Sequence, residues 1–319
     1  MIMNKIFNFK KSFLLLAMAA VLLCCKKDKK TDPENGIPEE EVVDNTIEPL
    51  TKKIMDNTTV IGTFVADNTV QVAAGIKQTQ IRFKRKDKLP VKVFILEADM
   101  NTPKLELQGL APYNDWIPGL QKLSEMCKEN ELAGTNIITA INGDTFSATG
   151  VPTSLFYINN RVYVSTVATN RTFIAALNDG TIAIGGKDTK GVERPVDKTK
   201  IKNGIGGNQW LVDNGVKATL TDVTISGRTA FGYTAGKVVY VVMVDGSQAE
   251  YSNGLTLNDL RDIMAALGVQ DAVNLDGGSS TTFVVKDLQK GQWNVQNKPA
   301  LALNAERMIG NGLGFVLKN

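Results

Sequence analysis

The most distinctive pattern of polar residues lies near the carboxyl end of the chain. A mostly apolar run, 272–275, leads into Asp276, and Gly-Gly-Ser-Ser follows at 277–280. Two glycines in a row let the backbone approach a ligand closely, and successive N–H groups in such a turn form a concavity that binds anions. An ordinary turn needs one or two special residues and no run of hydroxyls after them. The pattern therefore predicts a site for sugar and phosphate chemistry, with Asp276 at a strand end.

Two other segments share this design, in which an apolar strand ends in a polar turn. Asn142, Gly143 and Asp144 follow the run 137–141, and Asp245 follows the run 237–244. Strand ends of one sheet can converge, so these residues are candidates for the same site. Taken singly, Asn-Gly and Asp-Gly are also ordinary turn formers, and that structural explanation is equally open at both places.

Two arginines are candidates for binding an anion. Arg228 begins a strand that is otherwise apolar, and Arg307 precedes Asn311 and the last predicted strand. A guanidinium can place two parallel N–H bonds on a phosphate or a carboxylate. A surface arginine paired with an acid is nearly as good an explanation of either residue from spacing alone.

The chain contains no histidine. This excludes Ser-His-Asp and Cys-His catalysis and histidine-ligated zinc. Cys127 shares a helical face with Leu120 and Leu123, which favours a buried, inert thiol over a nucleophile. A carboxylate is therefore the expected centre of any chemistry.

The first 25 residues have the pattern of a secretion signal. A basic start precedes an apolar core at 13–23, which is too short to span a bilayer, and Cys24 and Cys25 close the segment. The pattern resembles the lipobox of bacterial lipoproteins, with Cys25 slightly favoured over Cys24 as the acylated residue; an ordinary cleaved signal is the alternative. We expect a lipid-anchored protein of the bacterial cell envelope, held at the membrane by this lipid alone.

The charge of the remaining chain gives no sign of a nucleic-acid partner. Three of the 36 basic residues lie in 1–24, which has no acidic residue, so 33 basic residues face 33 acidic ones. No basic stripe with interleaved aromatic residues occurs elsewhere. We therefore expect no nucleic acid among the partners.

The pattern along the chain predicts a single α+β domain. Residues 26–60 are polar, which predicts a flexible tether, and residues 61–319 are predicted to form the domain. Within the domain, Asn159-Asn160 and Asp179-Gly180 predict hairpin turns. A capping box at Thr256 and Asp259 opens a helix that Gly268 ends, just before the strand that leads to Asp276. We expect one mixed α/β sheet whose strand-end loops form a single cleft.

Taken in order, these motifs resemble the phosphodiester glycosidase family over residues 137–317. The motifs are Ala-Ile-Asn-Gly at 140–143, Gly-Arg-Thr at 227–229, Val-Asp-Gly at 244–246, Tyr-Ser-Asn-Gly-Leu-Thr at 251–256, Asn-Leu-Asp-Gly-Gly at 274–278 with Ser280, and Arg307 with Asn-Gly at 311–312. The resemblance implies an α+β fold and cleavage of the sugar C1–O bond of a sugar-1-phosphodiester or phosphoglycan. The products would be a free sugar and a phosphomonoester, as from an N-acetylglucosamine-1-phosphodiester.

Glycoside cleavage commonly uses two carboxylates, but a phosphate is already a good leaving group and needs little acid assistance. We therefore expect one decisive acid, Asp276, as nucleophile or water-activating base, with Asp245 second and Arg228 neutralising the phosphate. The predicted substrate-binding residues are Asn142, Gly143, Asp144, Asn274, Gly277, Gly278, Ser279, Ser280, Arg307 and Asn311. Of these, Asn142 and Asn274 would hold sugar hydroxyls or orient Asp276.

No cofactor is required by this scheme, although a metal is a minority alternative. Asp144, Asp245 and Asp276 could offer oxygen ligands to Ca²⁺ or Mg²⁺. Two other functions fit the same residues: a surface lipoprotein that binds glycans without catalysis, and a metal-dependent phosphodiesterase that cuts the P–O bond.

Overall fold

Residues 46–319 are described by a computed structural model of the chain. The predicted signal, the acylation at Cys25 or Cys24 and most of the predicted tether lie outside the described residues. The described residues belong to one compact unit. Within the described part, no helix is long and apolar enough to cross a membrane.

This part of the chain has three α-helices, α1 Pro49–Asn57, α2 Leu123–Asn130 and α3 Leu257–Ala266. The strands are β1 Thr63–Ala73, β2 Ile76–Lys84, β3 Pro90–Asp99, β4 Leu105–Leu110, β5 Gln121–Lys122, β6 Thr135–Asn142, β7 Phe156–Ile158, β8 Arg161–Val164, β9 Thr172–Leu177, β10 Ile182–Lys187, β11 Glu193–Arg194, β12 Ile201–Gly207, β13 Trp210–Asp213, β14 Val216–Lys217, β15 Arg228–Tyr233, β16 Val238–Val244, β17 Asp271–Asn274, β18 Phe283–Asp287, β19 Gln292–Val295, β20 Met308–Ile309 and β21 Gly312–Lys318.

The strands of the described residues form four sheets, so the predicted single mixed sheet is wrong. The orders are β1-β2-β3-β16-β15-β17-β13-β14, β11-β10-β9-β12-β7-β8, β19-β18-β6-β21-β4 and β20-β5. A strongly twisted sheet rarely exceeds about ten strands before it splits into packed sheets, and this chain has too many strands for one. The coarse α+β class holds, with strand as the dominant element.

The central strands of the eight-stranded sheet are buried on both faces. One face meets the other two large sheets, and Phe231, Phe283 and Phe156 each contribute to that shared core from a different sheet. The opposite face is covered by α1 and α3, through Ile54 and Met264. Burial on both faces explains why β16 is a continuous apolar run with no alternation.

Local signals in the sequence are confirmed where they depend only on neighbouring residues. The capping box of α3 is present, since Thr256 Oγ1 accepts from the Asp259 N–H and the Asp259 carboxylate accepts from the Thr256 N–H. The hairpins β7–β8 and β9–β10 turn at the predicted places. Cys127 is fully buried in α2, and burial raises the pKa of its thiol well above the usual value.

The predicted end of the tether is corrected by α1. This helix lies inside 26–60, and its Thr51 and Ile54 side chains are buried. Ordered structure therefore begins before residue 50. The sequence signal was weak because only two of the nine helical residues are buried.

Candidate active site

Asp276 lies just beyond β17, in a loop held from both sides by backbone bonds. Its N–H donates to Gly143 O (3.0 Å), and the Gly278 N–H donates to Gly227 O (2.8 Å). Gly278 has φ 60, a left-handed conformation that favours glycine, and it opens the 3₁₀ turn Gly278–Ser280. The loop position of Asp276 is thus fixed by the glycines around it.

The carboxylate of Asp276 is partly exposed. Its Oδ1 accepts from the Gly277 N–H (2.9 Å), while no group in residues 46–319 donates to Oδ2. One oxygen is therefore anchored and the other is available to a ligand or to water. This is the arrangement expected of a nucleophile or a general base.

Arg307 lies against the turn that follows Asp276. Its Nη1 donates to Ser280 Oγ (2.7 Å) and Ser279 Oγ (3.3 Å), and its guanidinium lies 5.2 Å from the centre of the Phe146 ring. The positive charge is held beside the serine hydroxyls, where it can pair with an anion.

Most of the backbone N–H groups that were predicted to form an anion-binding concavity donate to acceptors within the protein. The Gly277 and Gly278 N–H groups donate to Asp276 Oδ1 and Gly227 O, and the Ser280 N–H donates to Gly277 O. In the described part of the chain, the Ser279 N–H alone of these four has no acceptor. The groups of this turn that remain open to a ligand are the Ser279 N–H and hydroxyl, with Arg307 beside them, while Ser280 is fully buried and its Oγ accepts from Arg307.

Asn142 holds the site together and does not face a ligand. It is 1% exposed, its Nδ2 donates to Asp276 O (2.8 Å), and its Oδ1 accepts from Thr229 Oγ1 (2.8 Å) and the Thr282 N–H (3.2 Å). All of its polar atoms have protein partners. Of the two predicted roles, holding sugar hydroxyls or orienting Asp276, the contacts of this amide, buried between three segments, fit the second.

Gly143, Asp144 and Asn311 form a buried support next to it. Asn311 Oδ1 accepts from the Asp144 N–H (2.6 Å), and Asn311 Nδ2 donates to Asp144 O (3.1 Å). A Cβ on Gly143 would lie 2.2 Å from Asn311 Oδ1 and 2.1 Å from Ile205 Cδ1. Glycine is required there by close packing, and none of the three residues is placed to contact a sugar.

The Asp144 carboxylate is fully buried and pairs with Arg171. Its Oδ2 accepts from the Ser154 N–H (2.9 Å) and its Oδ1 from the Thr145 N–H (2.8 Å). Burial raises the pKa of Asp144 to about 6, against the lowering effect of Arg171 and these N–H groups. Arg171 was not singled out in the sequence, since Asn-Arg-Thr at 170–172 carries no motif.

Asp245 is also enclosed by protein donors. Asn297 Nδ2 donates to Oδ1 (2.8 Å), while Tyr251 OH and the Lys298 N–H donate to Oδ2 (both 3.0 Å). Burial raises the pKa of Asp245, although these bonds and the charge of Lys92 oppose the rise. Both carboxylate oxygens of Asp245 therefore accept hydrogen bonds from the protein, and its catalytic role stays a prediction.

Arg228 is tied to backbone carbonyls. Its Nε donates to Leu255 O (3.1 Å) and its Nη2 donates to Thr224 O, and burial lowers the pKa of the guanidinium. These contacts tie the guanidinium to the loop between β14 and β15 and to the segment before α3, while Nη1 has no hydrogen-bond partner in residues 46–319. The catalytic role of Arg228 stays a prediction.

Asn274 is 5% exposed, and its Oδ1 is buried without a hydrogen-bond partner in the described residues.

The strands give no single cleft that all the predicted residues line. Asp276, the turn 277–280 and Arg307 lie together, and the other predicted site residues lie in the buried structure around them. Within 46–319, no group of three or more carboxylate or thiol side chains is placed to hold a metal ion.

A family model described as phosphodiester glycosidase matches residues 135–316. The chain belongs to the phosphodiester glycosidase family. Its match includes the Asp276 loop, Arg307 and the support around Asn142.

Solved structures share the fold of this family member. The catalytic domain of zebrafish N-acetylglucosamine-1-phosphodiester alpha-N-acetylglucosaminidase, auto-inhibited by its pro-peptide, aligns with a TM-score of 0.60 and 18% identity, covering 79% of this chain and 88% of that one. A hypothetical protein from Synechocystis aligns with a TM-score of 0.58 and 13% identity, covering 80% of this chain and 64% of that one. No curated protein matches the chain by sequence.

Proposed function

We propose that this phosphodiester glycosidase family member is an exported hydrolase that cleaves the sugar C1–O bond of a sugar-1-phosphodiester. The observation that carries the proposal is the free Oδ2 of Asp276 beside a turn that holds Arg307 and the hydroxyls of Ser279 and Ser280. The zebrafish relative is named for an N-acetylglucosamine-1-phosphodiester, which supports the same kind of substrate here.

Asp276 is the proposed nucleophile or water-activating base at C1, where positive charge develops in the transition state. Arg307 neutralises the phosphate as the C1–O bond breaks and its negative charge grows. The phosphate leaves without strong acid assistance, so the buried Asp144 and Asp245 are not needed as proton donors. The leaving phosphomonoester keeps the bridging oxygen, and the sugar takes its new oxygen from water.

The decisive test is Asp276→Asn. Asparagine keeps an oxygen to accept the Gly277 N–H, so the loop should keep its shape while turnover of an N-acetylglucosamine-1-phosphodiester falls by about a thousandfold. Asp179→Asn, an exposed aspartate in the β9–β10 turn, is the control and should retain full turnover. Turnover in Asp276→Asn near that of the unchanged protein would remove Asp276 from the mechanism.

Labelled water separates this proposal from its competitors. Cleavage of C1–O puts the solvent oxygen into the sugar, and a metal-dependent phosphodiesterase would put it into the phosphate. A glycan-binding lipoprotein would bind the same compounds and release nothing. We propose that no metal is required, and turnover that is lost on chelation and restored by Ca²⁺ or Mg²⁺ would contradict this.

We also propose that the protein is lipid-anchored in the bacterial cell envelope through Cys25. Expression with a radiolabelled fatty acid should label the unchanged chain and the Cys24→Ala variant, but not the Cys25→Ala variant. Labelling that is lost in Cys24→Ala alone would move the anchor by one residue. No label in any of the three would favour an ordinary cleaved signal.

A further inference from the structure

Two neighbouring cavities lie beside Asp144, one of the buried residues that hold the Asp276 loop. One has a volume of about 540 Å³ and includes Arg171 and Lys198 in its wall. The other has a volume of about 480 Å³ and includes Asn208 and Lys217. Asn170 and Lys187 line both cavities, so the two form one groove, and each part alone is the size of an ordinary ligand site.

The groove carries more positive than negative side chains. Its cations are Arg171, Lys187, Lys198 and Lys217, and its carboxylates are Glu193 and Asp188. Lys198 donates to Ser165 O (3.1 Å) and Lys217 pairs with Asp262 (3.1 Å). Lys187 lies between the two cavities, and no group in 46–319 pairs with its ammonium. A free cation at the centre of the groove favours an anionic ligand.

Arg171 has donor capacity that the protein does not use. Its Nη2 pairs with Asp144, its Nη1 is 3.5 Å from Asn208 Oδ1, and its Nε is buried with no acceptor in the described residues. The Nε is closed to a ligand, but Arg171 lines the groove with a side chain that is 14% exposed, and its Nη1 bond to Asn208 is long, so Nη1 is the donor that a bound acceptor could take over. A phosphate oxygen is the acceptor that a guanidinium binds best.

The groove begins next to the Asp276 loop. Arg171 is paired with Asp144, which follows Gly143, the residue whose carbonyl accepts from the Asp276 N–H. On the other side, the Asn208 N–H donates to Asn274 O (2.7 Å), two residues before Asp276. The groove therefore lies next to residues that contact the Asp276 loop, and a chain bound at Asp276 would have to extend only a short way to reach it.

We propose that this groove is a second anion subsite, in which Arg171 and Lys187 bind the next phosphate of an oligomeric sugar phosphodiester. The inference rests on the proposed function for the identity of the repeating unit. It makes the substrate a chain of sugar phosphates and not a single capped sugar. Lys187 and Arg171 then determine specificity, while Asp276 and Arg307 act at the bond that is cut.

The test measures binding by calorimetry in the Asp276→Asn protein, so that hydrolysis does not consume the ligand. The probes are a short oligomer of N-acetylglucosamine joined through 1-phosphodiesters and the methyl phosphodiester of N-acetylglucosamine 1-phosphate. Adding Lys187→Gln should lower the oligomer-to-monomer affinity ratio about fivefold, the size expected of one exposed ion pair. Lys190→Gln, an exposed lysine of the same loop outside the groove, is the matched control and should keep the original ratio.

Arg171→Lys adds a second measurement, because it keeps a positive charge beside Asp144 but removes the Nη1 donor. It should also lower the ratio, with a melting temperature close to that of the parent. A ratio near one in the parent, or equal losses for Lys187→Gln and Lys190→Gln, would overturn the subsite. If the oligomer binds through Lys187 but the unchanged protein hydrolyses neither probe, the subsite stands and the proposed reaction fails.

Discussion

The side-chain amide of Asn142 connects three segments of the site. It donates to Asp276 O and accepts from Thr229 and Thr282. Removing it would leave two buried donors without an acceptor. It would also free the backbone of the residue that is proposed to attack C1.

We therefore expect Asn142→Ala to lower the free energy of unfolding by about 2 to 3 kcal/mol, the cost of buried unpaired groups. It should lower kcat more than it raises KM, since Asp276 moves while Arg307 does not. Thr229→Val removes one of the bonds and keeps the Asp276 contact, so its effect on kcat should be much smaller. Urea unfolding and steady-state kinetics on both variants check this, and a large rise in KM alone for Asn142→Ala would point to direct sugar binding instead.

The three strand-end aspartates show what a sequence can and cannot say about a residue. The Gly-Gly-Ser-Ser run singled out Asp276, which lies beside a partly exposed polar turn and whose role stays a prediction. Asp144 and Asp245 have the same side chain at similar strand ends, yet both are enclosed by protein donors. Those donors, such as Ser154 and Asn297, are distant in sequence, so no local pattern could have revealed them.

At the scale of elements, the sequence predicted what neighbouring residues decide. The α3 capping box and the β7–β8 turn depend on side chains within a few positions of each other. The division into several sheets depends on pairings such as β3 with β16, which are far apart in the chain. Such pairings are selected by packing on both faces of a sheet, which local periodicity does not encode.

Helix α1 gives an element-scale prediction, because the sequence assigned it to a tether. Ile54 is 1% exposed in the apolar cluster under α3, and Lys53 Nζ donates to Leu267 O (2.8 Å) just after that helix. Ile54→Ala should cost about 2 to 4 kcal/mol of unfolding free energy, as a buried cavity does. Lys52→Ala, on the exposed side of α1, should cost less than about 0.5 kcal/mol. Chemical denaturation compares them, and equal stability of the two variants would mean that α1 does not hold the fold.

At the scale of the whole molecule, one core is shared by the three large sheets. Phe94 of the eight-stranded sheet packs against Phe283 of the five-stranded sheet, with ring centres 6.2 Å apart. Phe156 and Ile205 bring the six-stranded sheet into the same cluster. Because unfolding of any one sheet would expose apolar core residues of the other two, we expect the three sheets to unfold together.

The three tryptophans of the chain allow a test of this coupling. Trp210 lies in the eight-stranded sheet and Trp293 in the five-stranded sheet, while Trp116 packs on Tyr163 of the six-stranded sheet (5.4 Å between ring centres). In variants that keep one tryptophan, with phenylalanine at the other two positions, the fluorescence transition reports one sheet and far-UV circular dichroism reports the whole backbone. Within each variant the two midpoints in urea should coincide, which is the behaviour of a two-state transition. Comparing midpoints only within a variant removes the effect of the substitutions on stability. If the fluorescence midpoint precedes the dichroism midpoint only in the variant that keeps Trp116, the six-stranded sheet can open while the Asp276 loop stays folded. Lys187 lies at the end of β10 in that sheet, and Arg171 directly precedes β9.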